Sequence, residues 1–202
     1  IRDQPLSRGL GDVYKRQMLT DAAAVGATNL MHIVVDDLTS LDSNQVSSIL
    51  AAAVQKTGAN VVFCGKQAAD TNAGSIGPSV AEKLGAACVT MVSELSGDAS
   101  GFLALRPSTI GMERVAVSAP CVLAFDKMST ELRRPNVKGI MMAKKKTIEA
   151  MSVGDLGVDI STASVTLDNQ SPPAEKPAGQ KFEGADSVST VVGKLRDEAK
   201  VI

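Results

Sequence analysis

The chemistry this chain can offer is concentrated in one polar loop of small residues: Gly65, Lys66, Gln67, Ala68, Ala69, Asp70, Thr71, Asn72, Ala73, Gly74, Ser75 and Ile76. It follows Val61, Val62, Phe63 and Cys64, an apolar run with the length of a strand buried on both faces. Beyond it, Pro78 suits the first position of a helix, Val80, Ala81 and Leu84 give that helix an apolar side, and Gly85 can close it in the left-handed conformation. Strand, glycine-bearing loop and helix in that order aim free backbone N–H groups and a positive helix end at one point beyond the strand. A phosphate can be held there without a charged side chain. Gly74 and Gly77 let the backbone approach an anion, and Ser75 adds a hydroxyl. The pattern is neither the P-loop nor the GxGxxG dinucleotide fingerprint. A tight strand-to-helix turn with no ligand would use the same residues.

Other site chemistry has little to work with. The one histidine, His32, lies in the apolar run LMHIVV and reads as a packed core position, which leaves triads and acid–base pairs without a partner. Cys64, Cys88 and Cys121 each sit in strand-like runs and read as buried free thiols rather than metal ligands or disulfides. A net charge of −1 over 202 residues predicts no bulk attraction to nucleic acid. No apolar run approaches the roughly 20 residues of a membrane span, so no direct membrane insertion is expected, and no secretory signal is visible.

The elements that must position the loop read as an alternation. Residues 1–17 hold Arg2, Arg8, Lys15 and Arg16 without a helical or strand period, and are expected to be a non-native or disordered leader with no role in the fold. MLTDAAAVGA predicts a helix closing at Gly26, and LMHIVVD a buried strand. Asp42 and Gln45 form a capping box for a helix striped by Val46, Ile49, Leu50, Ala53 and Val54, which Gly58 ends. Strand, helix, strand, loop and helix imply a parallel sheet with helices on both faces, and ligands in such sheets lie beyond the carboxyl ends of the strands. ACVTMVSEL, FLALRPS, MERVAVSAP and CVLAFD then predict a β-hairpin excursion that returns to the sheet. Residues 131–149 are basic, either a solvated loop and helix start or a docking surface for an acidic partner. Residues 18–159 form the predicted α/β nucleotide-binding domain. Residues 160–202 form an extended, proline-bearing arm ending in a helix from about Ser187, apt for docking a subunit.

From Met18 to Ile202 the chain resembles the β (small) subunit of electron transfer flavoproteins. The resemblance is carried by GKQAAD with its following G-P-x-x-A-E helix, the strands leading to LAFD, GIMMAKKKTIE at 139–149, and VGDLGVD at 153–159. It implies a Rossmann-like fold of the adenine nucleotide α-hydrolase-like type. It also implies a heterodimer with an electron transfer flavoprotein α subunit, passing electrons from flavin dehydrogenases to an electron transfer flavoprotein–quinone oxidoreductase. Within it the β subunit has no catalytic residues of its own. The redox FAD would lie at the interface, held mainly by the α subunit, while AMP, or a second FAD in electron-bifurcating relatives, occupies the β site. Positions Gly65 through Ile76 match the family's nucleotide loop. Val137, Lys138, Gly139, Ile140, Met141, Lys144 and Lys145 fall in or beside the loop by which the family recognises dehydrogenases. The bacterial cytoplasm or the mitochondrial matrix is the compartment implied.

Three departures qualify the match. Gly74-Ser75-Ile76 replaces a polar run, which removes a side-chain donor at Ile76 and leans toward the FAD-holding type. Val137 stands where an anchoring leucine is common. The family's opening strand and the next strand–helix units do not precede Met18, so the chain reads as an N-terminally truncated fragment with exposed apolar surface. A rival of another class, an adenine-nucleotide-using transferase of the same layered fold, would need a transferring loop and acid–base partners that the residues do not offer.

Overall fold

A computed structural model describes residues 8–202, apart from 38–39, 70, 99, 127–132, 167, 169–170, 173 and 176–177, with side chains from Arg16 onward. The chain divides into two compact units, Ile1–Thr166 and Leu167–Ile202.

In the first unit the elements run α1 (Arg8–Ala24), β1 (Met31–Val34), α2 (Ser43–Thr57), β2 (Val61–Gly65), α3 (Ile76–Leu84), β3 (Ala87–Val92), β4 (Glu94–Asp98), β5 (Gly101–Ser108), β6 (Gly111–Val117), β7 (Cys121–Phe125), α4 (Val137–Ala143) and β8 (Glu149–Ser152). A parallel ladder in the order β2–β7–β3 forms the centre. β1 pairs in parallel with β8 as a separate ladder, and β4–β5–β6 is an antiparallel meander. The hairpin excursion and the return to the parallel sheet are therefore as the apolar runs predict.

Alternating residues along the central strands bury two different layers. On one side Val62, Cys64 and Val122 pack under Ala51 of α2 and Val80, Ala81 and Leu84 of α3. On the other, Cys121, Leu123 and Phe125 meet Val89, Val92, Ala104 and Val117, the meander's inner face. The strand buried on both faces is β7, whose Cys121–Ala124 are all buried, not β2. β2 is an edge strand, and its Phe63 ring stays 58% exposed although it meets Phe102 and Phe125 edge-on.

Several local expectations shift. α1 begins at Arg8, so the residue-17 boundary falls inside a helix, and residues 8–17 are helical despite lacking an apolar stripe. The α2 capping box forms as read: Asp42 accepts from the Gln45 N–H at 2.7 Å and Gln45 Oε1 from the Asp42 N–H at 2.8 Å. The buried stripe of α2 is Gln45, Ser47, Ile49, Ala51 and Ala53, with Leu50 exposed, because the helix turns its small-residue side to α3. His32 is half-buried rather than in the core, and Cys88 is exposed on the outer strand β3. Pro78 is the third residue of α3, which Ile76 opens.

Residues 160–166 belong to the first unit. Asp42 Oδ2 accepts hydrogen bonds from the backbone N–H of Ser164 and of Val165, Gln45 Nε2 donates to the Ile160 carbonyl at 2.8 Å, and Asn44 Nδ2 donates to Ser164 Oγ at 2.8 Å. The second unit ends in α5 (Val188–Gly193), continued by a wider turn to Glu198. Val188 is 58% exposed, and Val192 and Leu195 are each 37% exposed.

Candidate functional site

The loop from Gly65 to Ser75 leaves the carboxyl end of β2 and returns to open α3. Its first residue is tied to the next strand, for the Lys66 N–H donates to the Phe125 carbonyl at 2.7 Å. The Asp126 N–H donates in turn to the Val92 carbonyl at 3.1 Å, so the ends of all three parallel strands are collected at one edge. Lys66 Nζ lies 3.1 Å from Asp126 Oδ2. That pair offsets the lysine's charge, so the ammonium is not a bare phosphate ligand. Asp126 is the residue the sequence reading left out of the site. Its signal was its position directly after an apolar run in LAFD, where a parallel strand ends.

Inside the loop the Asn72 N–H donates to the Ala68 carbonyl at 3.0 Å, and Gln67 Nε2 donates to Asn72 Oδ1 at 2.8 Å. Asn72 (φ 50°) and Gly74 (φ 64°) are both left-handed, a conformation that asparagine and glycine tolerate best. Ala68, Ala69, Thr71, Asn72 and Ala73 are exposed, and their short side chains leave the backbone approachable. Asp70 lies outside the described residues.

At the helix end, Ser75 precedes α3 but makes no side-chain capping bond. Among the described residues the N–H groups of Ile76 and Gly77 have no acceptor, and Pro78 has no N–H to satisfy. A buried helix start without a cap is a place for an anion. Gly77 is buried over the sheet: a Cβ there would stand 3.0 Å from Cys64 Sγ and 3.3 Å from Ala124 Cβ. The glycine therefore seats the helix start close above the strands. Ile76 contributes only its backbone to the loop's mouth. Its side chain packs into the layer of Ala51, Val80, Ala81 and Val122, so burial accounts for an apolar residue at this position. The lean toward the FAD-holding type that rested on Ile76 is withdrawn for that reason. Burial pushes the Cys64 thiol up, which keeps it protonated and a poor nucleophile.

The second candidate region is α4. Asn136 caps it, accepting from the Gly139 N–H at 2.7 Å. Ala143 is buried against α1 with Ala23 and Leu30. Gly139 faces the same way, since a Cβ there would stand 2.5 Å from the Ala24 carbonyl oxygen; it is a packing residue rather than a contact for a partner. Outward, Val137 is 75%, Met141 61%, Met142 59% and Ile140 40% exposed, among exposed Lys138, Lys144 and Lys145. The structure thus keeps the two groups of candidate residues on different elements. The loop 65–76 gathers backbone donors, and α4 gathers apolar side chains and cations. No helix among the described residues is long and apolar enough to cross a membrane.

Comparison with known proteins agrees with this architecture. Residues 10–156 match the family model of the electron transfer flavoprotein domain. The chain is 29% identical over 198 residues to the electron transfer flavoprotein subunit beta of Bacillus subtilis, covering 95% of this chain and 76% of that protein. The subunit beta of Sus scrofa is 30% identical over 193 residues, covering 95% and 74%. That of Mus musculus is 29% identical over 188 residues, covering 92% and 72%.

Proposed function

The chain belongs to the electron transfer flavoprotein family, and on that premise we propose that it serves as the β subunit of a two-subunit electron carrier. It binds an electron transfer flavoprotein α subunit, accepts electrons from flavin dehydrogenases and passes them toward a quinone oxidoreductase. An FAD at the interface, held mainly by the α subunit, supplies the redox chemistry. This chain supplies structure, a nucleotide site and docking surfaces, with no bond-making residue of its own. The bacterial cytoplasm or the mitochondrial matrix is the matching compartment.

The observation that carries the reading is the uncapped start of α3 at the carboxyl edge of β2–β7–β3. The Ile76 and Gly77 N–H groups, with the left-handed turn at Asn72 and Gly74, fit the phosphate of an adenine nucleotide, AMP in the favoured reading. Lys66, paired with Asp126, closes one side of the loop and leaves recognition to the backbone. Residues 160–202 are the arm for the α subunit. The exposed apolar residues of α4, Val137 and Met141 above all, with Lys138, Lys144 and Lys145, are the surface for dehydrogenases.

The test is co-expression with the matching α subunit and identification of nucleotides released on denaturation. One FAD and one AMP per heterodimer is the expected result. Two FADs would transfer the loop to a redox-active second flavin, and no nucleotide beyond the α-held FAD would refute the assignment of residues 65–76.

A further inference from the structure

Beside α4 lies a recess of about 390 Å³ lined by Arg16, Thr20, Ala143, Lys144, Lys146, Thr147 and Ile148. It sits where α1 meets the turn between α4 and β8. Its cations are not equivalent. Lys146 Nζ is fixed, donating to the Ala27 carbonyl and, at 3.2 Å, to the Thr28 carbonyl, so its charge stays at the α1 end of the recess. Neither the Arg16 guanidinium nor the Lys144 ammonium forms an ion pair with a carboxylate among the described residues, where the ion pairs are Lys66–Asp126, Arg106–Glu113 and Lys194–Glu198. The nearby acid Asp21 is occupied, accepting from Gln17 Nε2 at 2.8 Å, and Glu149 turns away at the start of β8. Thr20 and Thr147 add hydroxyls to a floor made by Ala143 and Ile148.

The recess is continuous with α4, because Lys144 is the residue that ends that helix. We propose that it receives carboxylate side chains of a docking protein whose adjoining apolar hollow takes Val137 and Met141. The inference rests on reading α4 as the dehydrogenase-facing surface, and deepens it by stating what that partner must carry: an acidic pair beside an apolar depression. Two unpaired cations in a concave site attract a carboxylate more strongly than isolated surface lysines do, because the walls limit solvent screening. A bidentate guanidinium also fixes the angle at which the partner sits.

The experiment uses the assembled heterodimer and, as probe, the flavin dehydrogenase that reduces the wild-type assembly fastest. The apparent KM for the carrier is measured at several salt concentrations. Arg16→Gln and Lys144→Gln should each raise it by up to about fivefold, together by about tenfold or more, and flatten its salt dependence. Lys56→Gln, which removes an equal charge from the exposed end of α2, should change it less than twofold. Val137→Ala tests the parent reading separately: it should raise KM with the salt dependence kept. Val137→Ala impaired while the Arg16 and Lys144 variants match wild type would overturn this inference and leave the α4 surface standing. Equal effects from Lys56→Gln would reduce the recess to general charge steering and overturn it too. Inorganic phosphate that binds the free heterodimer through Arg16 and Lys144, with docking kinetics unchanged by the variants, would reassign the recess to a small oxyanion.

Discussion

Replacing Gly77 with alanine tests whether α3 is seated on the sheet as described. Two effects oppose each other. Alanine in place of glycine within a helix is worth about 1 kcal/mol in backbone propensity. Against this, the new methyl would stand 3.0 Å from Cys64 Sγ and 3.3 Å from Ala124 Cβ. The alanine neighbour has no rotamer through which to give way and lies on β7, whose side chains there are buried on both faces. Only the thiol can swing, and it is half-buried beneath α3. Forcing a methyl into a filled interior costs about 1–3 kcal/mol, so the net is a loss of about 1 kcal/mol, up to about 2. Urea unfolding of the chain in its heterodimer measures it. Cys64→Ala removes the nearer obstacle, and in the Gly77→Ala background it should recover most of the loss, a coupling of at least about 0.5 kcal/mol in a double-mutant cycle. A Gly77→Ala chain about 1 kcal/mol more stable than wild type, or two substitutions that simply add, would mean that helix and sheet do not meet as described. Bound adenine nucleotide should fall in step with the single variant, because lifting α3 carries the Ile76 and Gly77 N–H groups away from the strand ends.

Gly139→Ala makes the parallel case at α4: a methyl 2.5 Å from the Ala24 carbonyl oxygen can be housed only by displacing backbone. A loss of about 1–3 kcal/mol is expected, with weaker dehydrogenase docking although no exposed side chain has changed; full docking affinity in a destabilised variant would contradict the coupling of α4 to α1. The clasp on residues 160–165 should depend on pH. The Gln45 N–H first, and then the N–H groups of Val165 and Ser164, hold the Asp42 carboxyl below its ordinary value of 3.8. A depressed folded pKa means stability present above the unfolded value and lost as pH falls through the folded one. The amide resonances of Ser164 and Val165 should therefore titrate together below pH 3.8, and Asp42→Asn should abolish that step. Titration at or above 3.8, or amides that ignore Asp42, would show that the clasp does not form in solution.

What could be read from the sequence was what local chemistry decides. Gly58 and Gly85 close α2 and α3 in the left-handed conformation at φ 67° and 61°, as expected where a helix must end and a side chain would be strained. The Asp42–Gln45 box spans three residues, so its geometry needs nothing from the rest of the fold. Strand order was not legible in the same way. VVFC and CVLAF are equally apolar, and only the pairing of β7 with both β2 and β3 makes one an edge and the other the centre. Leu50 fits a helical stripe, but the close approach of α2 and α3 favours Ser47 and Ala51 on the inner side. The second task of Asp42 was equally hidden, since its contacts with Ser164 and Val165 join residues more than a hundred positions apart.

The site itself divides along the same line. Its nucleotide-facing donors are main-chain groups, so the loop was legible through the residues that shape a backbone, Gly74, Gly77 and Pro78, rather than through residues that carry charge. Reading Ile76 as a lost donor assigned to a side chain a task that its N–H performs, and the side chain proves to be core. Lys66, the one cation in the loop, is spoken for by Asp126, which no spacing rule would have brought beside it across the strands. The positive potential at the loop's mouth is therefore carried chiefly by the start of α3, whose place depends on the absence of a Cβ at Gly77. A phosphate held this way is recognised by how closely the helix meets the sheet. Substitutions beneath the helix thus reach the ligand more directly than substitutions on the exposed loop.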